Sequence, residues 1–221
     1  MLPQPEPLVK RKPLAIGGIL MLLLYSFQNF IPGVASLSLM MGILITAAMV
    51  VVSLLLFLPE LKRDVPLFFE NFKTYCRFFF PRFGIFFLCY YAVALTITIL
   101  AKVPAANQDL LMGVSLPLLA FTALIYAPVV EETIYRGFLR RLIADDTFFI
   151  IVSALVFGMI HMLHPDQTMA QYLYIIEYAM LGGFLAWLYV ESDNICLSMM
   201  GHFCLNLAAF IPMVITVLMG V

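Results

Sequence analysis

Residues 111–142 read LMGVSLPLLAFTALIYAPVVEETIYRGFLRRL. As far as Val130 this stretch carries no charge, and it is long enough to cross a hydrocarbon layer, which takes roughly 20 apolar residues. Two adjacent glutamates, Glu131 and Glu132, then follow, with Arg136 one turn later. Ionisable side chains are costly to bury in a bilayer, so charges inside such a segment indicate a function. The stretch predicts a membrane-embedded helix that carries a polar site.

The rest of the chain has the same character. Of its 221 residues, 64% are hydrophobic and 11% are charged, whereas an average soluble domain is roughly half apolar and a quarter charged. Lys and Arg number 12 against 13 Asp and Glu, so no basic excess indicates a nucleic-acid partner. Composition therefore disfavours a soluble enzyme and a nucleic-acid-binding protein, and it favours a lipid bilayer as the environment.

Seven apolar segments predict an all-α fold, a polytopic membrane helix bundle with about seven transmembrane helices. The segment between the second and third spans, about 59–82, mixes aromatic pairs with charges, as in an interfacial helix among lipid headgroups. We divide the chain into N-terminal membrane spans, 1–110, which include this interfacial segment, and a helical core, 111–221. The predicted spans run from Leu14 to Phe30, Ser36 to Leu58, Phe83 to Ala101, Leu111 to Leu142, Thr147 to Leu163, Met169 to Val190 and Ile195 to Val221.

The basic residues predict the orientation. With these spans, every Lys and Arg except Lys102 falls on one side of the bundle. Because cytoplasmic loops carry the excess of Lys and Arg, we expect a multi-pass protein with a cytoplasmic N-terminus.

Helix lengths predict that the polar groups inside the spans meet. Glu131 lies 14 residues before a turn expected at Asp145, and His161 lies 16 residues after it. At about 1.5 Å per residue the two side chains reach similar depth. A second turn, expected near Asp193, brings His202 and Asn206 to the same layer. This argument requires the helix through Pro128 to continue without a break.

Local spacing predicts different roles for the two glutamates. Glu132 and Arg136 are four residues apart with the acid first, which is the favourable order for a helical ion pair. Glu131 has no cationic partner in reach on its own helix, and a desolvated carboxylate of that kind suits proton transfer. Phe157 and His161 have the same spacing, so the aromatic ring can pack beside the imidazole and fix its direction.

These motifs resemble those of the CAAX-protease and bacteriocin-processing family of intramembrane endopeptidases, which includes type II CAAX prenyl endopeptidases and bacterial Abi proteins. The resemblance covers about 111–210. It rests on three motifs in order: two glutamates followed by arginine (Glu131, Glu132, Arg136), Phe-x-x-x-His (Phe157, His161) and His-x-x-x-Asn (His202, Asn206). Many relatives have a proline in the approach to the third motif, which residues 196–201 here lack.

The resemblance implies hydrolysis of a peptide bond in a membrane-embedded cavity. Glu131, assisted by His161, would activate water, while His202 and Asn206 would stabilise the oxyanion of the tetrahedral intermediate. The implied substrate is a membrane-associated peptide or protein, with or without a lipid modification. Short loops favour a compact prokaryotic member in the plasma membrane. The catalytic set carried over is Glu131, Glu132, Arg136, His161, His202 and Asn206.

Alternatives to this mechanism and function remain open at the level of sequence. One glutamate and two histidines could bind zinc with an open position, but the HExxH spacing is absent and we expect no cofactor. A catalytically silent protein of the same fold, acting in bacteriocin immunity or as a scaffold, is the second candidate function. A proton-coupled transporter is disfavoured by the lack of internal repeats. His164 is interpreted as interfacial, and Glu177 as bonding a Tyr or Ser or lining the cavity.

Overall fold

The structure, a computed structural model, describes residues 2–5, 39–105, 115–163 and 167–219. All regular structure in these residues is helical, as the sequence predicts. Helix α1 spans Leu39–Leu56, α2 Leu58–Glu70, α3 Phe72–Ala101, α4 Leu116–Leu142, α5 Asp146–Ile160, α6 Met169–Ser192 and α7 Ile195–Met219.

Four of these helices, α3, α4, α6 and α7, are long and apolar enough to cross a membrane. Helices α1 and α2 make a fifth span if they are taken together, although they are bent by 83° at their junction. Helix α5 is apolar but has only 15 residues. The predicted span from Leu14 to Phe30 lies outside the described residues, as does His164. The protein is thus an integral membrane helix bundle, with four or five spans in the part that the structure describes.

The connection before the third span differs from its prediction. Helix α3 begins at Phe72, whereas the sequence predicts a span from Phe83, and it continues through Pro81. Pro81 is exposed, so the carbonyl group that loses its hydrogen bond to the proline lies near a surface where water or headgroups can replace that bond. The predicted interfacial segment 59–82 is therefore divided between α2 and the first turns of α3.

Helix α4 is continuous, as the depth argument requires, but its winding is unusual. The backbone is a π-helix over Thr122–Glu131 and again over Thr133–Phe138. In this winding each N–H bonds to the carbonyl five residues earlier. Pro128, which has no N–H, lies inside the first π segment. Local π winding is one way in which membrane helices accommodate proline without breaking.

Helices α5 and α6 approach each other closely because glycines lie at their contact. A Cβ atom added to Gly158 would lie 3.0 Å from the carbonyl oxygen of Ile175, and one added to Gly182 would lie 2.7 Å from the Cβ atom of Phe157. Small residues allow such close packing between membrane helices. The contact fixes the position of α5, and hence of His161 at its end, against α6.

One end of the bundle is held by charged groups. The Asp64 carboxylate of α2 accepts a hydrogen bond from the backbone N–H of Ile195 at 2.9 Å, and Arg63 donates to the carbonyl of Asp193 at 2.9 Å. Arg141, in the last turn of α4, pairs with Glu60 of α2. These contacts place α2, the end of α4 and the turn between α6 and α7 at the same end. Both predicted turns, near Asp145 and near Asp193, are present.

Candidate active site

The charged part of α4 lies in the interior of the bundle. Residues 130–138 are buried at every position, and the exposed fractions of Glu131, Glu132 and Arg136 are 5%, 0% and 0%. A charge with so little access to water depends on protein groups for its solvation. The partners of these three side chains therefore define the site.

Glu132 receives hydrogen bonds from three side chains. Arg136 donates to its Oε1 atom at 2.9 Å, so the predicted ion pair is present. The hydroxyl of Ser198 donates to Oε2, and Nδ1 of His202 lies 2.8 Å from Oε1. Arg136 also donates to the carbonyl of Gly182 at 2.8 Å. Glu132 therefore joins α4 to α7 by accepting hydrogen bonds from α7. Arg136, its ion-pair partner, joins α4 to α6.

His202 lies between the two glutamates. Its Nδ1 atom faces Glu132, and its Nε2 atom lies 3.9 Å from Oε2 of Glu131. The second distance exceeds a hydrogen bond, and an atom about 3 Å from both groups would lie to one side of the line that joins them. His202 is 2% exposed. Glu131 and the Nε2 edge of His202 thus face a common position inside the bundle.

His161 is held by rings on both sides. Its imidazole lies 4.4 Å from the Phe157 ring and 4.4 Å from the Tyr178 ring, and it is nearly parallel to the latter. Nδ1 lies 2.8 Å from the carbonyl oxygen of Phe157. Because a carbonyl can only accept, Nδ1 carries the proton and the neutral ring has its lone pair on Nε2. The predicted packing of Phe157 against His161 is confirmed, and the charge of Glu131 interacts with this imidazole.

Asn206 contacts a different part of α4. Its side-chain amide donates to the carbonyl oxygen of Ala123 at 2.7 Å. His202 and Asn206 face the same neighbouring helix, but they contact it nine positions apart along its sequence, at Glu132 and Ala123. The structure therefore brings Glu131, Glu132, Arg136 and His202 together, with His161 beside them and the amide nitrogen of Asn206 engaged on the backbone.

Comparison with protein families gives a match for the second half of the chain. Residues 113–208 match the family model described as type II CAAX prenyl endopeptidase Rce1-like. This part of the chain is similar to a type II CAAX prenyl endopeptidase, and we refer to it as the CAAX-protease domain. The match contains all three motifs and agrees with the predicted limits of about 111–210. No curated protein matches the chain, and no solved structure does. The family is one of endopeptidases, so the substrate of the domain is a peptide or a protein.

The zinc mechanism that the sequence leaves open would need a group of metal ligands in the CAAX-protease domain. Among the described residues, no group of three or more His, Cys, Asp or Glu side chains could hold a metal ion. The candidate ligands would be Glu131, His161 and His202. We therefore derive no step through a metal.

Two contributors to the domain's site were not predicted. Ser198 lies four residues before His202, so the positions 198, 202 and 206 form one face of α7, and this spacing could have identified it. The backbone carbonyl of Gly182 carries no such signal, because its contact with Arg136 depends on how α6 packs. Glu177 does accept a hydrogen bond from a tyrosine, Tyr90, at 2.6 Å, which is one of the two predicted roles.

The start of α7 also explains the missing proline. The backbone N–H of Ile195 donates to Asp64, and that of Cys196 donates to the side chain of Asn194 at 2.9 Å. These acceptors satisfy N–H groups that a helix start leaves without partners. The helix that carries His202 therefore begins at a defined residue without a proline before it.

Proposed function

We propose that the CAAX-protease domain is an intramembrane endopeptidase that hydrolyses a peptide bond of a membrane-associated peptide or protein. Glu131 is the general base, assisted by His161, and His202 and Asn206 stabilise the oxyanion. Glu132 and Arg136 hold His202 in place. The mechanism depends on glutamate rather than on a metal.

The main support is that two adjacent glutamates have different surroundings. Glu132 accepts hydrogen bonds from Arg136, Ser198 and His202, so its oxygen atoms are occupied by these three groups. Glu131 instead faces Nε2 of His202 across a gap of 3.9 Å. Two carboxylates with unlike environments are the pattern of an acid–base site, in which one group is structural and the other transfers a proton.

The histidines support complementary roles. With Nδ1 bonded to the carbonyl of Phe157, neutral His161 presents a lone pair on Nε2 and can accept a hydrogen bond from the attacking water. For His202 to donate from Nε2 while Nδ1 donates to Glu132, both nitrogens must be protonated. The positive imidazolium that results is paired with the carboxylates of Glu131 and Glu132, and a cation of this kind stabilises a developing oxyanion.

These roles give a balanced reaction. Glu131 takes a proton from water while the water oxygen attacks the scissile carbonyl carbon. The tetrahedral oxyanion accepts hydrogen bonds from His202 and from the second N–H of the Asn206 amide. Glu131 then gives its proton to the leaving amine as the C–N bond breaks. The products are a carboxylic acid and an amine, and the base is regenerated.

Comparative peptidomics tests this function. Membranes from cells that make the wild-type chain are compared with membranes from cells that make the Glu131→Gln variant at equal abundance. We expect one or more intact substrates to accumulate in the variant and their cleavage products to disappear. An unchanged peptide profile, with normal insertion of the variant, would contradict the proposal. The same experiment shows whether the substrates carry a lipid.

Metal analysis distinguishes the glutamate mechanism from a zinc mechanism. We expect the purified protein to contain zinc well below one atom per chain and to keep its peptide cleavage after treatment with a chelator. The reason is that, in the part of the chain that the structure describes, no three His, Cys, Asp or Glu side chains are placed to hold a metal ion. The measurement is elemental analysis together with cleavage of the substrate identified above. Stoichiometric zinc that is lost together with activity would contradict the glutamate mechanism.

We also propose that the end of the bundle at α2 faces the cytoplasm of a prokaryotic cell, with the N-terminus on that side. Arg63 and Arg141 lie at this end. Lys102 follows the last residue of α3, at the opposite end of that helix. In a variant without its native cysteines, we expect Lys102→Cys to react with a membrane-impermeant maleimide on intact cells. Lys62→Cys should react only after permeabilisation. The reverse labelling pattern would refute this orientation.

A further inference from the structure

Pro128 leaves a defined gap in the hydrogen bonding of α4. In the π winding of Thr122–Glu131, the N–H of residue 128 would bond to the carbonyl of residue 123. Proline has no N–H, so the carbonyl oxygen of Ala123 is the one that loses its helical partner. In a bilayer an unsatisfied carbonyl group costs free energy, and a neighbouring helix is one source of a replacement donor.

Asn206 supplies that donor. Its Nδ2 atom lies 2.7 Å from the Ala123 oxygen, and the two residues are 83 positions apart in the chain. Pro128 is buried, and Ala123 and Asn206 are each half-buried. A side-chain amide from α7 thus donates to the same carbonyl that the proline leaves open.

The position of this bond relates it to the site. Side chains of α7 bond to α4 on both sides of Pro128, through Asn206 at Ala123 and through His202 at Glu132. Pro128 lies between these places, and Glu131 follows it by three residues. The two bonds therefore hold the segment that carries Glu131 on both sides of Pro128, where the helix lacks a backbone hydrogen bond.

We propose that Asn206 is a positioning residue that replaces the missing backbone hydrogen bond of Pro128 and so fixes the π register of α4 that directs Glu131 toward His202. This role goes beyond the proposed function, since it concerns the fold of the helix and holds whether or not the domain cleaves peptides. It is compatible with an oxyanion contact, because the amide has a second N–H.

A double-mutant cycle tests the role without an activity assay. The proteins are the wild type, Asn206→Ala, Pro128→Ala and the variant with both changes, purified in detergent and unfolded by heat. We expect Asn206→Ala to lower the unfolding midpoint by roughly 3–8 °C, because a buried carbonyl loses its donor. Pro128→Ala restores the backbone N–H. In the Pro128→Ala background, Asn206→Ala should therefore lower the unfolding midpoint by less than about half as much as in the wild type.

The matched control is Pro81→Ala, which removes the exposed proline inside α3. When Pro81→Ala is combined with Asn206→Ala, the falls in unfolding midpoint of the two single variants should add. Equal losses from Asn206→Ala in the wild-type and Pro128→Ala backgrounds would overturn the proposal. If Asn206→Ala alone does not accumulate in cells, its recovery by Pro128→Ala supports the proposal and a failure to recover refutes it.

Activity separates this inference from the proposed function. If Asn206 acted only on the oxyanion, Asn206→Ala would lower cleavage equally in both backgrounds and leave the unfolding midpoint unchanged, which would overturn the positioning role. If instead the thermal coupling is found and Glu131→Gln leaves the peptide profile intact, the positioning role stands and the protease function does not.

Discussion

Replacing Glu131 with glutamine is expected to lower peptide cleavage by roughly 10²–10⁴-fold, the usual contribution of a general base. The amide has nearly the shape of the carboxylate but cannot take a proton from water. Because the buried Glu132–Arg136 ion pair stays intact in this variant, insertion and thermal stability should remain close to those of the wild type. The measurement is the cleavage rate of an identified substrate by purified protein, with the unfolding midpoint recorded beside it.

Glu177→Gln is the matched control for this variant. It makes the same chemical change in another spanning helix, at a carboxylate that accepts a hydrogen bond from Tyr90. We expect this control to keep its cleavage activity. If Glu131→Gln retained the full biological effect while inserting normally, the silent immunity or scaffold function would replace hydrolysis. Solute transport that depends on a proton gradient would indicate a transporter.

Replacing Arg136 with methionine is expected to destabilise the protein by about 3–5 kcal/mol, because breaking a buried ion pair leaves an uncompensated charge. Arg136 and Glu132 are both 0% exposed and lie 2.9 Å apart. For a chain of this size such a loss corresponds to a fall in unfolding midpoint of roughly 6–20 °C. Thermal unfolding in detergent measures it, and Glu132→Gln combined with Arg136→Met should recover part of the loss.

Arg140→Met provides the comparison on the same helix. Arg140 pairs with Asp146, and these side chains are 27% and 60% exposed. Exposed ion pairs contribute about 1 kcal/mol or less, so this variant should unfold near the wild-type temperature. Equal unfolding temperatures for Arg136→Met and Arg140→Met would show that burial does not strengthen the Glu132–Arg136 pair.

Contacts within one helix could be predicted from the sequence. The Glu132–Arg136 pair and the packing of Phe157 on His161 follow from a spacing of four residues, which places side chains on one helical face. The turns near Asp145 and Asp193 follow from where the apolar segments end. For these features the physical cause lies within a few residues of the chain.

Contacts between helices could not be predicted in the same way. The depth argument places His202 and Asn206 in one layer, but it does not show that one faces Glu132 and the other the backbone of Ala123. That division depends on the π winding of α4, and the sequence shows only Pro128, which is equally compatible with a kink. The predicted third span begins at Phe83, whereas α3 begins at Phe72 and continues through the exposed Pro81, because the sequence does not show where an interfacial segment joins a span in one helix.

The length of α5 has a consequence for how water reaches the site. Its 15 residues extend about 22 Å, whereas a hydrocarbon layer is about 30 Å thick. We expect a bilayer to become thinner around a helix this short, because its apolar length does not match that of the hydrocarbon layer. His161 follows directly at the carboxyl end of this helix. Such thinning would shorten the path from bulk solvent to this imidazole, and a hydrolytic site inside a membrane requires a path of this kind for water, its second substrate.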